Sequence, residues 1–207
     1  MSSITEVSTE EKIKDAARKI FTKKGFLATT IRDIATEADI NIASVNYYFR
    51  SKEKLFEFIM DETIGRLFNK IEPVLNNEEM GVDEKIEICV GYYIDNILEN
   101  PDFVFFTVSE VMSGSLTNLS MVNKMKSLEK SHFARQLKAL HTAGKISFHP
   151  VNLLWNITGM IFFPFLTRPR MLESGYFTSE EFTALMLERK KLIPIWMKQI
   201  IRVGMIE

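Results

Sequence analysis

The chain has a single cysteine and little glycine or proline. Because Cys89 is alone, it cannot form a disulfide within the chain, which fits a reducing compartment such as the cytoplasm. Its place in the apolar run IEICVGYYI predicts a small buried side chain rather than a reactive thiol. Only 9 glycines and 6 prolines are spread over 207 residues, and this scarcity favours long helices over strands and turns.

The sequence also lacks an apolar segment long enough to cross a bilayer. The N-terminal stretch MSSITEVSTEEKIKDAARKIF contains no hydrophobic signal segment. The longest apolar window, ITGMIFFPFLT at residues 157–167, is too short for a membrane span and contains Pro164. We therefore expect a soluble, cytoplasmic protein with no membrane partner.

Motifs that would support catalysis or metal binding are absent as well. There is no phosphate-binding loop, no nucleophile elbow, and no pair of carboxylates that spacing would bring together. The three histidines, His132, His141 and His149, do not have the spacing of metal ligands on a helix. The sequence thus predicts no enzyme activity, no cofactor and no metal site.

Charge is nearly balanced over the chain but divided unevenly along it. The net charge is -1, yet residues 1–54 hold 10 Lys and Arg against 8 Asp and Glu, which gives +2. The remaining residues hold 16 against 19, which gives -3. A charge of +2 is only a weak indication of nucleic-acid binding. The placement of particular residues must therefore carry that argument.

Helical periodicity runs through the whole sequence, and no stretch alternates long enough to indicate a strand. Ser8 and Glu11 form a capping box for a first helix that Gly25 ends, and Thr30 can cap a second helix. The sequence predicts an all-α fold of about nine helices. The remaining helices are expected at about 43–49, 52–73, 83–99, 101–113, 119–143, 149–166 and 178–203, with RPRMLESGYF as a loop.

The short segment NIASVNYYF, residues 41–49, has two different faces when wound as a helix. Val45 and Phe49 face the core, whereas Asn46 and Tyr47 face outward. Two short helices joined by a short turn, the second with a small, polar and aromatic outer face, make a helix-turn-helix. An isolated YYF would more often be a pair of aromatics packed on a bundle; its spacing within this motif favours DNA.

The stretch IKDAARKIFTKKGFLATTIRDIATEADINIASVNYYFRSKEKLF resembles the N-terminal DNA-binding domain of TetR-family transcriptional regulators. The resemblance covers residues 10–63 and rests on A-x-x-x-F-x-x-x-G-F, TTIRDIA, YYF and SKEKLF in combination. It implies a tail at residues 1–8, then a three-helix DNA-binding domain at residues 9–69 with its helix-turn-helix at 30–49. Residues 70–207 match no motif, and the resemblance makes them a larger helical bundle for ligand binding and dimerisation.

The resemblance also implies a set of contacts to double-stranded DNA. The chain departs from the family pattern in having Asp39 where Gly is usual in the turn and Arg50 where Pro is frequent. Lys and Gly often stand where this chain has Ile and Ala at 42 and 43, and Tyr is frequent at 46, so no operator sequence follows. Contacts to phosphates or bases are implied for Thr30, Arg32, Ile42, Ala43, Ser44, Asn46, Tyr47, Tyr48 and Lys52.

The C-terminal part is rich in aromatic and methionine side chains. Taken singly, each is more readily explained as bundle core, but the resemblance implies a cavity for a small hydrophobic or amphipathic effector. No buried charged residue stands out in the sequence as an anchor for such a ligand. The candidate pocket residues are Tyr92, Tyr93, Phe103, Phe106, Met112, Met125, Phe133, Trp155 and Phe162.

The two C-terminal helices carry more apolar surface than one small bundle can cover. As in the family, they are expected to pair with the same helices of a second copy and form a homodimer. A two-fold dimer would present two recognition helices to a near-palindromic operator. The candidate interface residues are Leu185, Leu192, Ile193, Trp196 and Ile200.

Three functions stay open from the sequence. The first is a ligand-responsive transcriptional regulator, most simply a repressor, in which an effector tilts the fourth helix. The second is a DNA-associated structural protein on the same fold without an effector, and ligand-induced release from DNA separates the two. The third is a helical enzyme or adaptor unrelated to DNA, for which a Tyr47→Ala change would leave function intact.

Overall fold

The computed structural model describes residues 8–101, 103–105, 107–108 and 119–204. In these residues every regular element is an α-helix, as the sequence predicts. Residues 103–105 and 107–108 are also helical. The helices are α1 (Thr9–Ala28), α2 (Ile31–Glu37), α3 (Ile42–Phe49), α4 (Lys52–Asn76), α5 (Val82–Glu99), α6 (Leu119–Lys130), α7 (His132–Thr142), α8 (Val151–Glu173) and α9 (Ser179–Val203).

Helices α1 to α3 pack around the beginning of α4 and form a small N-terminal head. Ile13, Ile34, Val45 and Leu55, one from each helix, are fully buried in its centre. Burying one such aliphatic side chain stabilises a fold by about 1.5–3 kcal/mol. The head therefore holds its two short helices by packing, since neither is long enough to be stable alone.

Helix α4 belongs to both parts of the molecule. It has 25 residues, so it extends for about 37 Å. Leu55 and Phe56 near its start are buried in the head, whereas Ile71 and Leu75 near its end are buried in the C-terminal bundle. The helix continues one turn beyond Pro73, where the sequence predicts its end, because Leu75 anchors that last turn in the core.

Helix α5 lies at the centre of the bundle, where it packs against α4, α7, α8 and α9. The packing between α5 and α9 is the most extensive, with Val90 and Ile94 of α5 and Ile193 and Met197 of α9 all buried. In the described residues no helix is both long enough and apolar enough to cross a membrane.

The predicted single helix at 119–143 is wrong, because two helices meet at Ser131. Its hydroxyl accepts a hydrogen bond from the amide of Ala134 at 3.2 Å and donates to the carbonyl of Leu128 at 2.6 Å. A serine that bonds its neighbouring backbone in this way competes with the helical ladder and caps the next helix. Ser131 therefore ends α6 and begins α7.

The loop predicted for RPRMLESGYF is also wrong in its first part, since α8 continues to Glu173. The helix contains Pro164 and Pro169, and each removes one backbone donor. The carbonyl of Met160, which Pro164 leaves without its helical partner, accepts a hydrogen bond from Nη2 of Arg189 at 2.8 Å. This contact from α9 compensates the interruption and lets α8 continue.

At the start of α1 half of the predicted capping box forms, since the Ser8 hydroxyl accepts from the amide of Glu11 at 3.2 Å. Gly25 has a positive φ of 76° and interrupts α1, although one further turn follows it to Ala28. At the other end, Thr178 and Glu181 form the predicted capping box at the start of α9. Gly144 has a φ of 68° and lies two residues beyond Thr142, where α7 ends.

Candidate nucleic-acid interface

The N-terminus of α2 is held by a reciprocal capping box. The Thr30 hydroxyl accepts from the amide of Asp33 at 3.2 Å, and the Asp33 carboxylate accepts from the amide and hydroxyl of Thr30 at 2.9 and 2.8 Å. Lys24 donates to the same carboxylate at 2.8 Å. These bonds, that from Lys24 first, lower the pKa of Asp33 from 3.8 to about 2.

This cap determines what the start of α2 can offer to DNA. The Thr30 hydroxyl is already engaged with Asp33, whose amide it caps, while the amides of Ile31 and Arg32 have no helical carbonyl to bond. Such amides favour an anion such as a phosphate. Arg32 extends from the same turn with its side chain exposed, so it can add a positive charge there.

The turn between α2 and α3 requires an unusual backbone conformation at Asp39. Its φ is +54°, in the left-handed region that favours glycine. The amide of Asp39 bonds the carbonyl of Thr36 at 3.2 Å, and the amide of Ile40 bonds that of Ala35 at 3.0 Å. Aspartate tolerates this conformation better than most side chains, so the turn forms without glycine.

Helix α3 has the two faces that its sequence predicts. Val45 and Phe49 are buried in the head, whereas Asn46 and Tyr47 are exposed, Tyr47 to 82%. Of the other predicted contact residues, Ile42 and Ala43 are exposed and Ser44 is half-buried. The outer face thus combines small, polar and aromatic groups, which permit close approach to base edges in a major groove.

The two tyrosines of α3 occupy different environments. Tyr48 is 44% exposed and lies between the outer face and the core, while Tyr47 projects outward. Their rings contact edge to face, with centroids 5.4 Å apart. This contact restricts the orientation of the Tyr47 ring. The buried Phe49 also contacts the partly exposed ring of Phe58 on α4, which holds α3 against that helix.

Lys52 has an internal role that the sequence does not reveal. Its ammonium donates to the carbonyls of Phe26 and Thr29, each at 3.0 Å, and lies 4.4 Å from the centre of the Phe26 ring. It therefore ties the start of α4 to the end of α1. The predicted contact between Lys52 and phosphate stays a prediction. The ammonium would have to use its third N–H group for the phosphate or give up one of its two carbonyl partners.

A cluster of charges joins α1 to α4. Lys14 is buried and pairs with Glu11 and with Glu62, the latter at 3.1 Å, and Arg18 also pairs with Glu62. Burial by itself would lower the pKa of Lys14, but the hydrogen bonds with Glu11 and Glu62 outweigh it and raise that pKa. The cluster therefore links α1 to α4 through ion pairs on Glu62.

Two residues of this region are missing from the predicted contact set. Asn41 caps α3, with its side-chain oxygen accepting from the amide of Ala43 at 2.9 Å. Arg50 directly follows α3 with a φ of +60° and an exposed side chain. An asparagine before a helix is a recognisable cap, whereas the direction of Arg50 depends on this strained conformation.

A second candidate site is a cavity of about 390 Å³ in the bundle. It lies among α4, α5, α6, α7 and α8, and its walls are mostly apolar. Two predicted pocket residues, Tyr93 and Phe133, line it. Burial raises the pKa of the Tyr93 hydroxyl to about 12 and that of the Cys89 thiol to about 12, so both are neutral donors in this wall.

The other predicted pocket residues lie elsewhere or cannot be placed. Trp155 is 67% exposed on the outside of α8, and Tyr92 lines surface grooves beside α5 instead. Phe103 packs against Phe162 with ring centroids 6.2 Å apart, away from this cavity. The hydrophobic periodicity that predicted them does not distinguish core from cavity wall. Phe106, Met112 and the side chain of Met125 lie outside the described residues.

The cavity wall also contains a buried lysine that the sequence does not single out. Lys85 lines the cavity and is fully buried. In the sequence it lies one helical turn before Cys89 and beside apolar residues. A surface lysine at the start of a helix could have the same neighbours, so the sequence does not predict that Lys85 is buried. Both of its hydrogen-bond partners lie on α7, so the packing of α5 against α7 contributes to its burial.

The outer surface of α8 and α9 carries the candidate self-association face. On α8, Trp155, Phe163 and Leu166 are exposed and lie on one side at helical spacing. Leu185, Leu192, Trp196 and Ile200 of α9 are half-buried, and their part in an interface stays a prediction. The prediction that Ile193 lies in the interface is wrong, because Ile193 is fully buried within its own chain and offers no surface to a second copy.

The chain is similar to known bacterial regulatory proteins, most clearly in its N-terminal head. Residues 13–59 match the family described as bacterial regulatory proteins, tetR family. The HTH-type transcriptional repressor NicS of Pseudomonas putida is 34% identical over 102 residues, which is 49% of this chain and 48% of NicS. The chain thus spans about half the length of that relative.

Two further similarities extend beyond the head. The HTH-type transcriptional regulator SAR0097 of Staphylococcus aureus is 26% identical over 175 residues, or 83% of this chain and 85% of that protein. The crystal structure of HlyIIR, a hemolysin II transcriptional regulator, has a TM-score of 0.62 with 22% identity, over 96% of this chain and 98% of that one. This last similarity shows a shared fold. The match at residues 13–59 therefore identifies the N-terminal head as a helix-turn-helix domain of the tetR family of bacterial regulatory proteins.

Proposed function

We propose that this protein is a ligand-responsive repressor of transcription that binds a palindromic operator as a homodimer. The observation that carries the proposal is the outer face of α3, where Asn46 and Tyr47 are exposed beside the small Ala43. The buried Val45 and Phe49 hold this face rigidly on the head. A rigid helix with a small, polar and aromatic face suits readout of base edges.

The contacts divide into those that position the protein and those that read sequence. The first-turn amides of α2, together with Arg32 and Arg50, are suited to phosphates on either side of the groove. Asn46 can pair with adenine, and the Tyr47 ring can cover a sugar or a thymine methyl group. We propose that the protein represses rather than activates transcription, since the relative NicS is named a repressor.

Dimerisation through α8 and α9 would place two heads on one operator. The exposed Trp155 and Phe163 form an apolar stripe with Gly159, which adds no side chain between them. A stripe of large exposed apolar residues on a soluble chain indicates an interaction surface. A two-fold arrangement matches such a stripe with itself and presents both α3 helices about one DNA turn, roughly 34 Å, or somewhat more apart.

The bundle cavity would control the spacing of the heads through α4. Ile71 and Leu75 line the cavity at one end of α4, and Lys52 and Leu55 hold the head at the other. A small amphipathic or hydrophobic ligand that prefers one position of α4 would favour one head spacing over the other. If that position does not fit the operator, ligand binding releases the DNA.

The experiment that tests the proposal measures binding of the purified protein to its own promoter DNA and to a shuffled duplex of equal length. Fluorescence anisotropy at several salt concentrations gives both affinities and their salt dependence. We expect a preference for the promoter that persists while both affinities fall with salt. Equal affinity for the two duplexes would refute the function.

Release by a ligand is the second arm of this experiment. DNA binding that no cavity ligand weakens would favour a structural DNA-associated protein over a responsive regulator. That outcome would leave the recognition face of α3 in place and remove only the control by the bundle.

A further inference from the structure

The lysine in the cavity wall is buried without a charged partner. Lys85 lies in the first turn of α5 and has an exposed fraction of 0%. Its Nζ lies 2.9 Å from Nδ1 of His132 and 2.9 Å from Oε1 of Gln136, both on α7. Among the described residues it forms no ion pair with a carboxylate.

Both partners of Lys85 are neutral acceptors when the ammonium is charged. An ammonium can only donate, so Nδ1 of His132 must accept, and the proton of this imidazole then lies on Nε2. The amide of Gln136 is oriented by its own donation to the carbonyl of Met80 at 3.1 Å, which turns its oxygen toward Lys85. One of the three N–H groups of Lys85 is left for another acceptor.

The surroundings do not neutralise the charge of Lys85. Burial lowers the pKa of its ammonium, the charge of Arg135 adds to this effect, and Cys89 and Glu78 oppose it. A buried charge is costly unless an opposite charge or several hydrogen bonds accompany it. A ligand that brings a negative charge to Nζ would therefore be bound more strongly than its contact area alone suggests.

The rest of the cavity is suited to an apolar tail. Ile71, Leu75, Val90 and Leu137 are buried side chains in its wall. Its volume of about 390 Å³ is in the range of small-molecule sites. Glu129 is the one acidic side chain among the described lining residues, and its charge disfavours a ligand with several negative groups.

We propose that the effector is an amphipathic monocarboxylate, whose carboxylate accepts a hydrogen bond from Lys85 and whose apolar tail fills the cavity. This inference rests on the proposed function for the idea of an effector, and it adds the chemical class. The carboxylate replaces or joins Oε1 of Gln136 as the acceptor for Nζ. No covalent step is involved.

The position of Lys85 connects this carboxylate to α4. The backbone amide of His132 donates to Oδ1 of Asn76, the last residue of α4, at 3.2 Å. A ligand bound at Lys85 thus acts beside the end of the helix that carries the head. The side chain of Ile71 in the same wall gives the tail a second contact with α4.

The test compares three probes that share a ten-carbon chain and differ only in the head group: decanoate, decan-1-ol and decylamine. Calorimetric titration of the full chain without DNA gives each affinity. We expect decanoate to bind at least about tenfold more tightly than the alcohol, since a hydrogen bond to a charged group has about this effect. Decylamine, with its positive head, should bind more weakly than either.

The variant Lys85→Met removes the charge and keeps the length of the side chain. It should bring decanoate and decan-1-ol to within about twofold of each other while leaving the affinity for the alcohol unchanged or higher. Lys138→Met is the matched control, because Lys138 is exposed on α7 and does not line the cavity. It should keep the preference of the wild-type protein.

Two results would overturn the inference: equal affinity of the wild-type chain for decanoate and decan-1-ol, or a preference for decanoate that survives Lys85→Met. The comparison of probes on the wild-type chain decides the matter even if the variant does not fold. Because no DNA is present, these outcomes are independent of promoter binding, whose absence would instead refute the regulator function.

Discussion

At the scale of the residue, several charged side chains have structural and binding roles that must be separated. Lys52 is the clearest case, since it was predicted as a phosphate contact and bonds the carbonyls of Phe26 and Thr29. Lys85 is the converse case, because a lysine without a recognisable motif lies buried in a cavity wall. The local sequence around each lysine is unremarkable, and only long-range packing reveals their surroundings.

We expect Lys52→Met to destabilise the chain by about 1–2 kcal/mol, because it removes two hydrogen bonds from a half-buried charged group. Urea denaturation followed by circular dichroism measures this change. The matched control is Lys54→Met, where the exposed ammonium bonds only Glu57 on the same helix and little change is expected. Equal stability of the two variants would contradict the internal role of Lys52.

At the scale of the element, the short helices of the head follow from local chemistry. The caps at Thr30 and Ser51, and the division of α3 into two faces, are all readable from residues a few positions apart. The breaks in the bundle are less readable, because Ser131 splits a strongly helical stretch and Arg189 sustains one that contains prolines. Both outcomes depend on contacts between elements distant in sequence.

The turn between α2 and α3 gives a prediction at this scale. With Asp39 at a φ of +54°, we expect Asp39→Gly to be more stable than Asp39→Ala by about 1 kcal/mol, and the natural chain to lie between them. The reason is the collision of a β-carbon with the backbone in the left-handed conformation, which aspartate offsets only in part. Midpoints of urea denaturation would establish the order, and an alanine variant as stable as the glycine variant would contradict it.

At the scale of the whole molecule, α4 joins a head that the sequence predicted well to a bundle that it predicted only in outline. The head carries a motif whose spacing predicts both its fold and a DNA-binding function. The bundle is helical as expected, but the helix predicted at 119–143 is split at Ser131. Of the described candidate pocket residues, Tyr93 and Phe133 line the cavity, while Trp155 is exposed. Apolar periodicity identifies buried faces, and it does not specify where packing leaves a void.

The proposed dimer makes a prediction about the assembled molecule. Charges on the exposed stripe of α8, introduced together as Trp155→Glu and Phe163→Glu, should convert a dimer to monomers, because a buried unpaired carboxylate is costly. Light scattering coupled to size-exclusion chromatography measures the mass. Leu187→Glu is the control, since Leu187 is exposed on α9 in the groove facing α5 and should leave the dimer intact. A dimer that survives the double change would place the interface elsewhere.

The central claim is that the outer face of α3 reads DNA, and Tyr47 tests it most directly. Tyr47→Ala removes a side chain that is 82% exposed, so the fold should keep its stability. Tyr176→Ala, at another exposed tyrosine between α8 and α9, is the matched control. In anisotropy titrations with promoter DNA at fixed salt, we predict that Tyr47→Ala weakens binding by about 1–3 kcal/mol while Tyr176→Ala does not. Equal affinities of both variants and the natural protein would contradict the account.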